Sequence, residues 1–460
     1  AVPDADAPDA IVPDADAPDT GVHPAGEPPP GSWSLDAYLQ EIPVEYNDIA
    51  ECTLALIGPD GTVRELEPGR EFACRGLTGS RSLTAPVVFV GYGLSQPERG
   101  YDDYAGIDVR GRVVLAFKEA PPFEPDSSGW QDAWMPRPKG VVAAAHGAVA
   151  LLVVSRPLQE RPQRPIASML EGEADHDASL PRLQIDLAGA ESLLQPAGLG
   201  LRELQARIDS TRAPSSHLLP TAARIGVDAR YEPSRPSWNV VGILDGSDPD
   251  LREEVIVLGA HLDHVGRQGS VYYPGANDNA SGAAAVLAAA EAFARAGARP
   301  RRTVLFGLWT SEEAGLIGAR RFLEDPPVPR DRIVAYLNFD CVGHGDSIEV
   351  GGGTSYPELW ETARALDRAG AGLMVAETWR GGGADTEPFE RAGIPNLYFA
   401  STFSYTHLHL PTDTPATLNP QLLESVARLG YGTAWRLAQA DPEPARPPRG
   451  PVEPATDQGD

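Results

Sequence analysis

Several features are scarce in this chain, and each scarcity excludes a class of protein. Only three of the 460 residues are cysteine, too few for a disulfide-built scaffold or a zinc site made of thiolates. No apolar run reaches the roughly 18 residues that a membrane-spanning helix needs, so we expect no membrane span. Basic residues number 38 against 65 acidic ones, a net charge of −27. This balance argues against nucleic acid and anionic membranes as partners, because both are negatively charged.

What remains is the composition of a globular chain with acidic, proline-rich ends. Hydrophobic residues make up 42% of the chain, enough to form a full core. Residues 2–9 read VPDADAPD, and residues 12–19 repeat them, a pattern that favours an extended, solvated tail. This tail is either a solubilising segment or a spacer from a cell surface. Because the chain starts at Ala1, we expect a processed protein that is secreted, periplasmic or on the cell surface.

Between the ends, apolar runs typical of buried strands alternate with helical stretches. This alternation predicts an α/β layered fold. The predicted strands are 85–91, 112–117, 148–154, 238–244, 254–259, 303–308, 334–339 and 395–400, and the predicted helices are 199–208, 281–296, 315–324, 356–369 and 418–440.

Candidate chemical groups follow two of these strands directly. His261 and Asp263 lie two residues apart after the first strand, so their side chains point the same way, and Asp263 is placed to hydrogen-bond the imidazole nitrogen that faces away from a metal. Glu312 and Glu313 follow the second strand. Adjacent carboxylates point in different directions, so one can bind a metal while its neighbour transfers protons.

Three further candidates complete the set. Asp278 lies on a tight turn before a helix, Asp340 ends a strand, and His409 lies in a loop four residues before Asp413. Each residue alone is more often a cap, a turn or a solvated charge. Together they come from separate loops after strands, where open α/β sheets place their sites. Mixed nitrogen and oxygen ligands without thiolate suit a pair of catalytic zinc ions.

The motifs around these residues resemble those of the co-catalytic di-zinc aminopeptidase family, which includes bacterial secreted leucyl aminopeptidases and glutamate carboxypeptidase. The similarity covers roughly residues 236–440 and agrees in both order and spacing. The matching motifs are GAHLDHVG (259–266), GANDNASG (275–282), WTSEEAGLIGA (309–319), LNFDCVG (337–343), GADTEPFERAGIP (383–395) and HLPTDT (409–414).

The resemblance implies a metal centre with two zinc ions. His261 and Asp340 are expected to hold one ion, and Glu313 and His409 the other, with Asp278 as the bridge between them. His264 and His344 follow ligand positions, and we expect both to be supporting or loop residues.

The resemblance also implies a reaction, in which N-terminal residues are hydrolysed from peptides with a free N-terminus. A hydroxide that bridges the two zinc ions is expected to attack, with Glu312 as general base and Asp263 orienting the ring of His261. The family carries a non-proline cis peptide bond after the bridging aspartate, so we expect Asp278–Asn279 to be cis.

The implied fold is a three-layer α/β/α sandwich with a mixed central sheet, of the zinc-exopeptidase (phosphorylase/hydrolase-like) type. VVFVGYG and the residues that follow (87–117) resemble the start of a protease-associated domain, so we expect a small β-rich insert of that kind. The expected domains are a disordered tail (1–32), the N-terminal part of the peptidase domain (33–82), the insert (83–205), the catalytic domain (206–440) and a Pro-rich tail (441–460).

Alternatives stay open at this stage. A carboxypeptidase on the same scaffold would need basic groups for the substrate's C-terminal carboxylate, and Arg380 is the obvious candidate. A glutaminyl cyclase needs only one zinc, and a receptor-like binding protein would have lost ligands. The family usually has a tyrosine before its last histidine. Leu408 stands there, so Tyr405 is either a substitute oxyanion donor or a core residue. Cys52 and Cys74 lie on candidate neighbouring strands, and their pairing is left open.

Overall fold

The computed structural model describes residues 39–123, 130, 133–170 and 175–441. The tail predicted at residues 1–32 lies outside these ranges, as does the tail at 441–460 apart from Asp441. Within the described ranges, none of the helices combines the length and the apolar character needed to cross a bilayer.

Seventeen strands and eight α-helices make up the described structure. The strands are β1 (Leu39–Ile57), β2 (Val63–Glu65), β3 (Phe72–Cys74), β4 (Arg81–Val90), β5 (Ser95–Gln96), β6 (Tyr101–Asp102), β7 (Val113–Phe117), β8 (Ala150–Val154), β9 (Arg182–Ile185), β10 (Ser216–Leu244), β11 (Val255–His261), β12 (Gly266–Gln268), β13 (Val271–Tyr273), β14 (Thr303–Trp309), β15 (Ile333–Phe339), β16 (Ile348–Gly351) and β17 (Asn396–Ser401). The helices are α1 (Pro136–Ala145), α2 (Leu187–Leu194), α3 (Leu201–Thr211), α4 (Gly282–Arg295), α5 (Ile317–Glu324), α6 (Pro357–Ala369), α7 (Thr386–Arg391) and α8 (Pro420–Gln439).

One mixed sheet of 13 strands organises the described chain. Its order is β16-β17-β15-β11-β14-β10-β4-β7-β8-β9-β3; in addition, β1 pairs with β10, and β2 pairs with β1. Strands β17, β15, β11 and β14 are mutually parallel. β10 is antiparallel to both β14 and β4, so this single 29-residue strand joins the two halves of the sheet.

Helices cover both faces of the parallel strands. Alternate residues of β11 point to opposite sides of the sheet, so β11 contacts helices on both faces. Ile256 and Leu258 pack with α4, α6 and α8. Val255 and Val257 pack with α5 and α7, including Phe322 of α5. All seven residues of β11 are buried, as expected for a parallel strand covered on both faces. The predicted α/β/α layering with a mixed central sheet is therefore confirmed.

The segment predicted as a β-rich insert, 83–205, is itself α/β. Its strands β4, β7, β8 and β9 are parallel, and helices α1, α2 and α3 accompany them. The predicted domain boundaries and the assignment to a protease-associated domain stay predictions. Cys52 and Cys74 are free thiols in the structure.

Candidate metal centre

The parallel strands bring the predicted site residues to one edge of the sheet. β11 ends at His261, β14 is followed by Glu312 and Glu313, and β15 is followed by Asp340. β11 lies between β14 and β15, so their carboxyl ends are neighbours. The loop after β17 brings His409 to the same edge.

One cluster contains His261, Asp278 and Asp340, which are close enough together to share a metal ion. The Nε2 atom of His261 lies 3.2 Å from Asp278 Oδ1 and 3.6 Å from Asp340 Oδ1. All three side chains are buried. This is the first of the two ligand groups that the sequence predicts.

A second cluster contains Asp278, Glu313, His409 and, in addition, His264. The Nε2 atom of His409 lies 2.8 Å from Glu313 Oε2 and 3.3 Å from Asp278 Oδ2. The Nδ1 atom of His264 lies 2.7 Å from Glu313 Oε1. Asp278 thus belongs to both clusters, in the bridging position predicted for it. His264 was expected to be a supporting or loop residue, and the structure places it within the cluster.

Side-chain hydrogen bonds hold the turn that carries Asp278. The peptide bond Asp278–Asn279 is cis, as predicted. The carboxylate of Asp413 accepts hydrogen bonds from the backbone N–H groups of Asn277 (2.8 Å) and Asp278 (3.0 Å). Asn279 donates to the carbonyl of Phe339 at 2.9 Å, which ties this turn to the strand that ends in Asp340. The role of Asp413 was missed because its partners lie about 135 residues away along the chain.

Asp263 acts differently from the prediction. The Nδ1 atom of His261 lies 3.0 Å from the backbone oxygen of Asp263 but 3.8 Å from its carboxylate, which is beyond hydrogen-bond distance. The carboxylate instead accepts from the backbone N–H groups of Glu312 (3.0 Å) and Glu313 (3.3 Å). Asp263 thus orients two parts of the site: its backbone oxygen holds the His261 ring, and its carboxylate holds the loop that carries Glu312 and Glu313.

Several polar atoms of the site are buried without a hydrogen bond within the described ranges. They include Asp278 Oδ2, Glu313 Oε1, His409 Nδ1 and both ring nitrogens of His264. Buried polar groups are normally satisfied, and leaving charged ones unpaired is costly. The donor set of imidazole and carboxylate groups is one that zinc accepts. The residues therefore fit a metal centre.

The site's charges shift one another's pKa in opposite directions. Burial would raise the pKa of Asp278, but the contacts from His261 and His409 outweigh it and lower the pKa. Burial and the surrounding carboxylates of Asp385 and Asp340 raise the pKa of Glu312 well above its usual range. Separated titration behaviour within one group of carboxylates is typical of residues with different catalytic tasks.

Asp385 is a further buried acid close to this network. It is fully buried at the residue before α7, and both of its carboxylate oxygens lack a hydrogen bond in the described part of the chain. Burial, reinforced by Asp340 and Asp263 against the opposing effect of His261, raises its pKa to about 8.

A cavity of about 640 Å³ opens onto the metal centre. Both halves of the chain line it. Lys118, Gln163 and Leu170 come from the predicted insert, and Arg320 comes from α5. The aromatic residues Trp379, Tyr398 and Tyr405 also line it.

The cavity settles several open assignments. Tyr405 is 64% exposed and lines the cavity, so it is not a core residue. Arg380 is exposed and is not among the residues that line the cavity. His344 bonds to Thr417 O at 2.8 Å and belongs to neither cluster.

The second half of the chain is similar in sequence to known peptidases. Residues 239–433 match the family model described as Peptidase family M28. Leupeptin-inactivating enzyme 1 of Streptomyces exfoliatus is 37% identical over 173 residues, which is 37% of each chain. A probable leucine aminopeptidase of Trichophyton verrucosum is 27% identical over 42% of this chain and 56% of that protein. The chain thus spans only about a third to a half of the length of these relatives.

The fold is shared over nearly the whole chain with a solved structure. An aminopeptidase from Aneurinibacillus sp. strain AM-1 aligns over 90% of this chain and 88% of its own, with a TM-score of 0.59 and 21% identity. The predicted fold class agrees with this neighbour. The family match begins at residue 239, so it does not cover the predicted insert.

Proposed function

Because residues 239–433 match the model of peptidase family M28, we propose that this chain is a zinc-dependent exopeptidase that removes residues from the N-terminus of peptides. The observation that carries the proposal is the pair of clusters that share Asp278 and open with Glu312 into one cavity. The relative named as a probable leucine aminopeptidase supports the N-terminal direction of cleavage.

The two clusters fit two zinc ions. His261, Asp278 and Asp340 would hold one ion, and Asp278, Glu313 and His409 would hold the other. When bound, zinc supplies a Lewis acid that polarises the scissile carbonyl and lowers the pKa of water. All of these ligand side chains lie within a few ångströms of one another.

Glu312 would accept the proton of the attacking water and deliver it to the leaving amine. It lies at the cavity wall, where Asp263 holds its backbone N–H. Burial raises its pKa, and a base whose pKa approaches the working pH both accepts and returns a proton efficiently. The carboxylates at the cavity floor would also attract the protonated amine of a substrate N-terminus.

A carboxypeptidase is the second candidate, and a specific observation favours it. Lys118 and Arg320 both line the cavity, and Arg320 forms no ion pair with another described residue. The guanidinium group of Arg320 at this cavity is a candidate partner for a C-terminal carboxylate, whereas Arg380 does not line the cavity. The proposed exopeptidase function also includes export of the chain, which the acidic repeat near its N-terminal end suggests.

Product analysis by mass spectrometry tests the proposal. A mixed set of peptides is offered with added zinc in free, N-acetylated and C-amidated forms, with Glu312→Gln as the inactive control. We expect stepwise loss from the N-terminus of the free and the C-amidated peptides alone. Loss from the C-terminus, blocked by amidation and indifferent to acetylation, would establish the carboxypeptidase instead. Absence of Glu312-dependent cleavage would leave a glutaminyl cyclase or a binding protein.

A further inference from the structure

His264 lies inside the metal centre, although the motif comparison assigns it no ligand role. It follows β11 by three residues, and its side chain is 9% exposed. Its Nδ1 atom lies 2.7 Å from Glu313 Oε1 and 3.6 Å from Asp278 Oδ2. It therefore faces two of the residues proposed to hold the second zinc ion.

The short contact between His264 and Glu313 is not a hydrogen bond. His264 Nδ1 and Glu313 Oε1 both remain without a hydrogen-bond partner among the described residues, because the geometry directs no N–H toward the oxygen. A ring nitrogen and a carboxylate oxygen that approach this closely need a proton or a metal cation between them. The contact points to a shared metal ion.

The ring of His264 is held in this position by its surroundings. A Cβ added to Gly275 would lie only 2.6 Å from His264 Cγ, and Gly275 itself has a positive φ of 68°. On the other side, the rings of His264 and His409 meet edge to face with centroids 5.5 Å apart. The glycine thus leaves the space that the imidazole fills.

We propose that His264 is a fourth protein ligand of the metal site formed by Asp278, Glu313 and His409. This inference rests on the proposed function, which requires zinc at both sites. The two sites then differ: the site with His264 has four protein residues, and the site of His261 and Asp340 has three. Four protein ligands are typical of firmly held zinc, whereas three leave a position open for water or substrate. The four-residue site is the one that fills first and empties last.

Zinc affinity measured separately from activity tests this proposal. Metal-free protein is dialysed to equilibrium against buffers of graded free zinc, and bound zinc is counted by mass spectrometry of the metal. The wild type is expected to show two classes of site. His264→Phe keeps a ring in the same space but removes the ligand nitrogen, and it should weaken only the tighter class, by about 100-fold. His344→Ala, near the site but outside both clusters, should leave both classes unchanged.

The outcomes separate this proposal from the proposed function. Two zinc ions of unchanged affinity in His264→Phe would overturn the role of His264 alone, even if activity falls, because the histidine would then only position Glu313. A wild type that binds no zinc would overturn the proposed function together with this inference. His264→Ala is measured in parallel, with its unfolding curve, so that a folding defect of one variant does not decide the result. Selective loss of the tighter class in either folded variant supports the ligand role.

Discussion

Two regions of this molecule bury ionisable groups, and they do so in opposite ways. In the first half, the fully buried Lys139 donates hydrogen bonds from Nζ to the carbonyl oxygens of Phe117 (2.5 Å), Lys118 (2.9 Å) and Glu119 (3.3 Å). At the metal centre, Asp278 and Glu313 each keep a buried oxygen without a hydrogen bond within the described ranges.

The difference indicates what each charge is for. A buried charge whose donors are all used contributes to the structure around it, and its removal leaves unsatisfied acceptors. A cluster of buried acids and imidazoles with unused atoms is incomplete as a purely protein structure, and a cation completes it. Changes in the first half should therefore alter stability without altering zinc binding, and changes at the centre should alter activity or zinc binding.

The largest expected effect is on catalysis. Glu312→Gln should lower kcat on a cleaved peptide by about 10³-fold, because the amide cannot accept the proton of the attacking water. Zinc content and the unfolding curve should stay as in the wild type, since Glu312 lies outside both clusters. Glu361→Gln, at an exposed position on α6, serves as the control. A Glu312→Gln variant with wild-type kcat would remove this residue from the mechanism.

Zinc removal should have the second largest effect, a fall in the free energy of unfolding. Chelation leaves the carboxylates of Asp278, Glu313 and Asp340 facing one another without a cation. At a free zinc concentration about 1,000 times the dissociation constant, binding to the folded state adds roughly 4 kcal/mol to the free energy of unfolding. Denaturant unfolding with and without a chelator measures the difference. Superimposable curves would contradict the metal centre.

Lys139→Met should destabilise the first half without affecting the centre. The variant removes the amine that lies against these carbonyl groups, and we expect the free energy of unfolding to fall by about 3 kcal/mol at pH 9. Its zinc stoichiometry should equal that of the wild type. Loss of zinc from this variant would show that the two regions are coupled more tightly than the contrast between them implies.

The effect of Lys139→Met should also depend on pH. Burial lowers the pKa of Lys139 to about 7, against about 10.4 in the unfolded chain. Between these values the unfolded chain binds more protons, so the contribution of Lys139 to stability is complete above about pH 10 and is lost as the pH falls toward 7. The difference between wild type and variant should shrink by about 2 kcal/mol from pH 9 to pH 7. A difference that is constant with pH would mean that Lys139 stays charged.

The smallest expected effect concerns Leu170, which belongs to the first half of the chain but lines the cavity at the metal centre. Leu170 is half exposed at the cavity wall, and a Cβ on Gly315 would lie 3.9 Å from its Cδ1 atom. Leu170→Ala should raise KM about threefold with little change in kcat, because it removes apolar surface that a bound peptide covers. Leu218→Ala, equally exposed but away from the cavity, should leave KM unchanged. Equal KM values for both variants would mean that Leu170 of the insert does not contribute to substrate binding.

Sequence patterns predicted the parallel core well because its strands are continuous apolar runs. β11, β14, β15 and β17 were each placed to within one or two residues. The long ribbon of β1 and β10 was not predicted over most of its length. β10 carries Pro220, Pro233 and Pro236 and alternates buried with exposed positions, so no single stretch of it stands out as apolar. Pairing with β1 along nearly its whole length stabilises it.

At the metal centre, too, the sequence predicted one part of the arrangement and not the other. Residue types and their places after strands predicted seven candidates, and the structure brings the five predicted ligands together in two clusters that share Asp278. It redirects the carboxylate of Asp263 from His261 to the glutamate loop. It also adds Asp413, whose partners are remote in sequence, and His264, whose position beside Glu313 depends on the space above Gly275.

The sequence by itself determined the alternation of strands and helices and the residue types at the strand ends, because both depend on residues that are near neighbours in the chain. Only the tertiary structure decided which side chains lie close enough to share an ion and that both halves of the chain line the cavity. Lys118 and Arg320 lie about 200 residues apart and meet at one cavity because β10 joins the two halves of the sheet. Contacts of this kind depend on how elements pack, and local residue patterns do not record them.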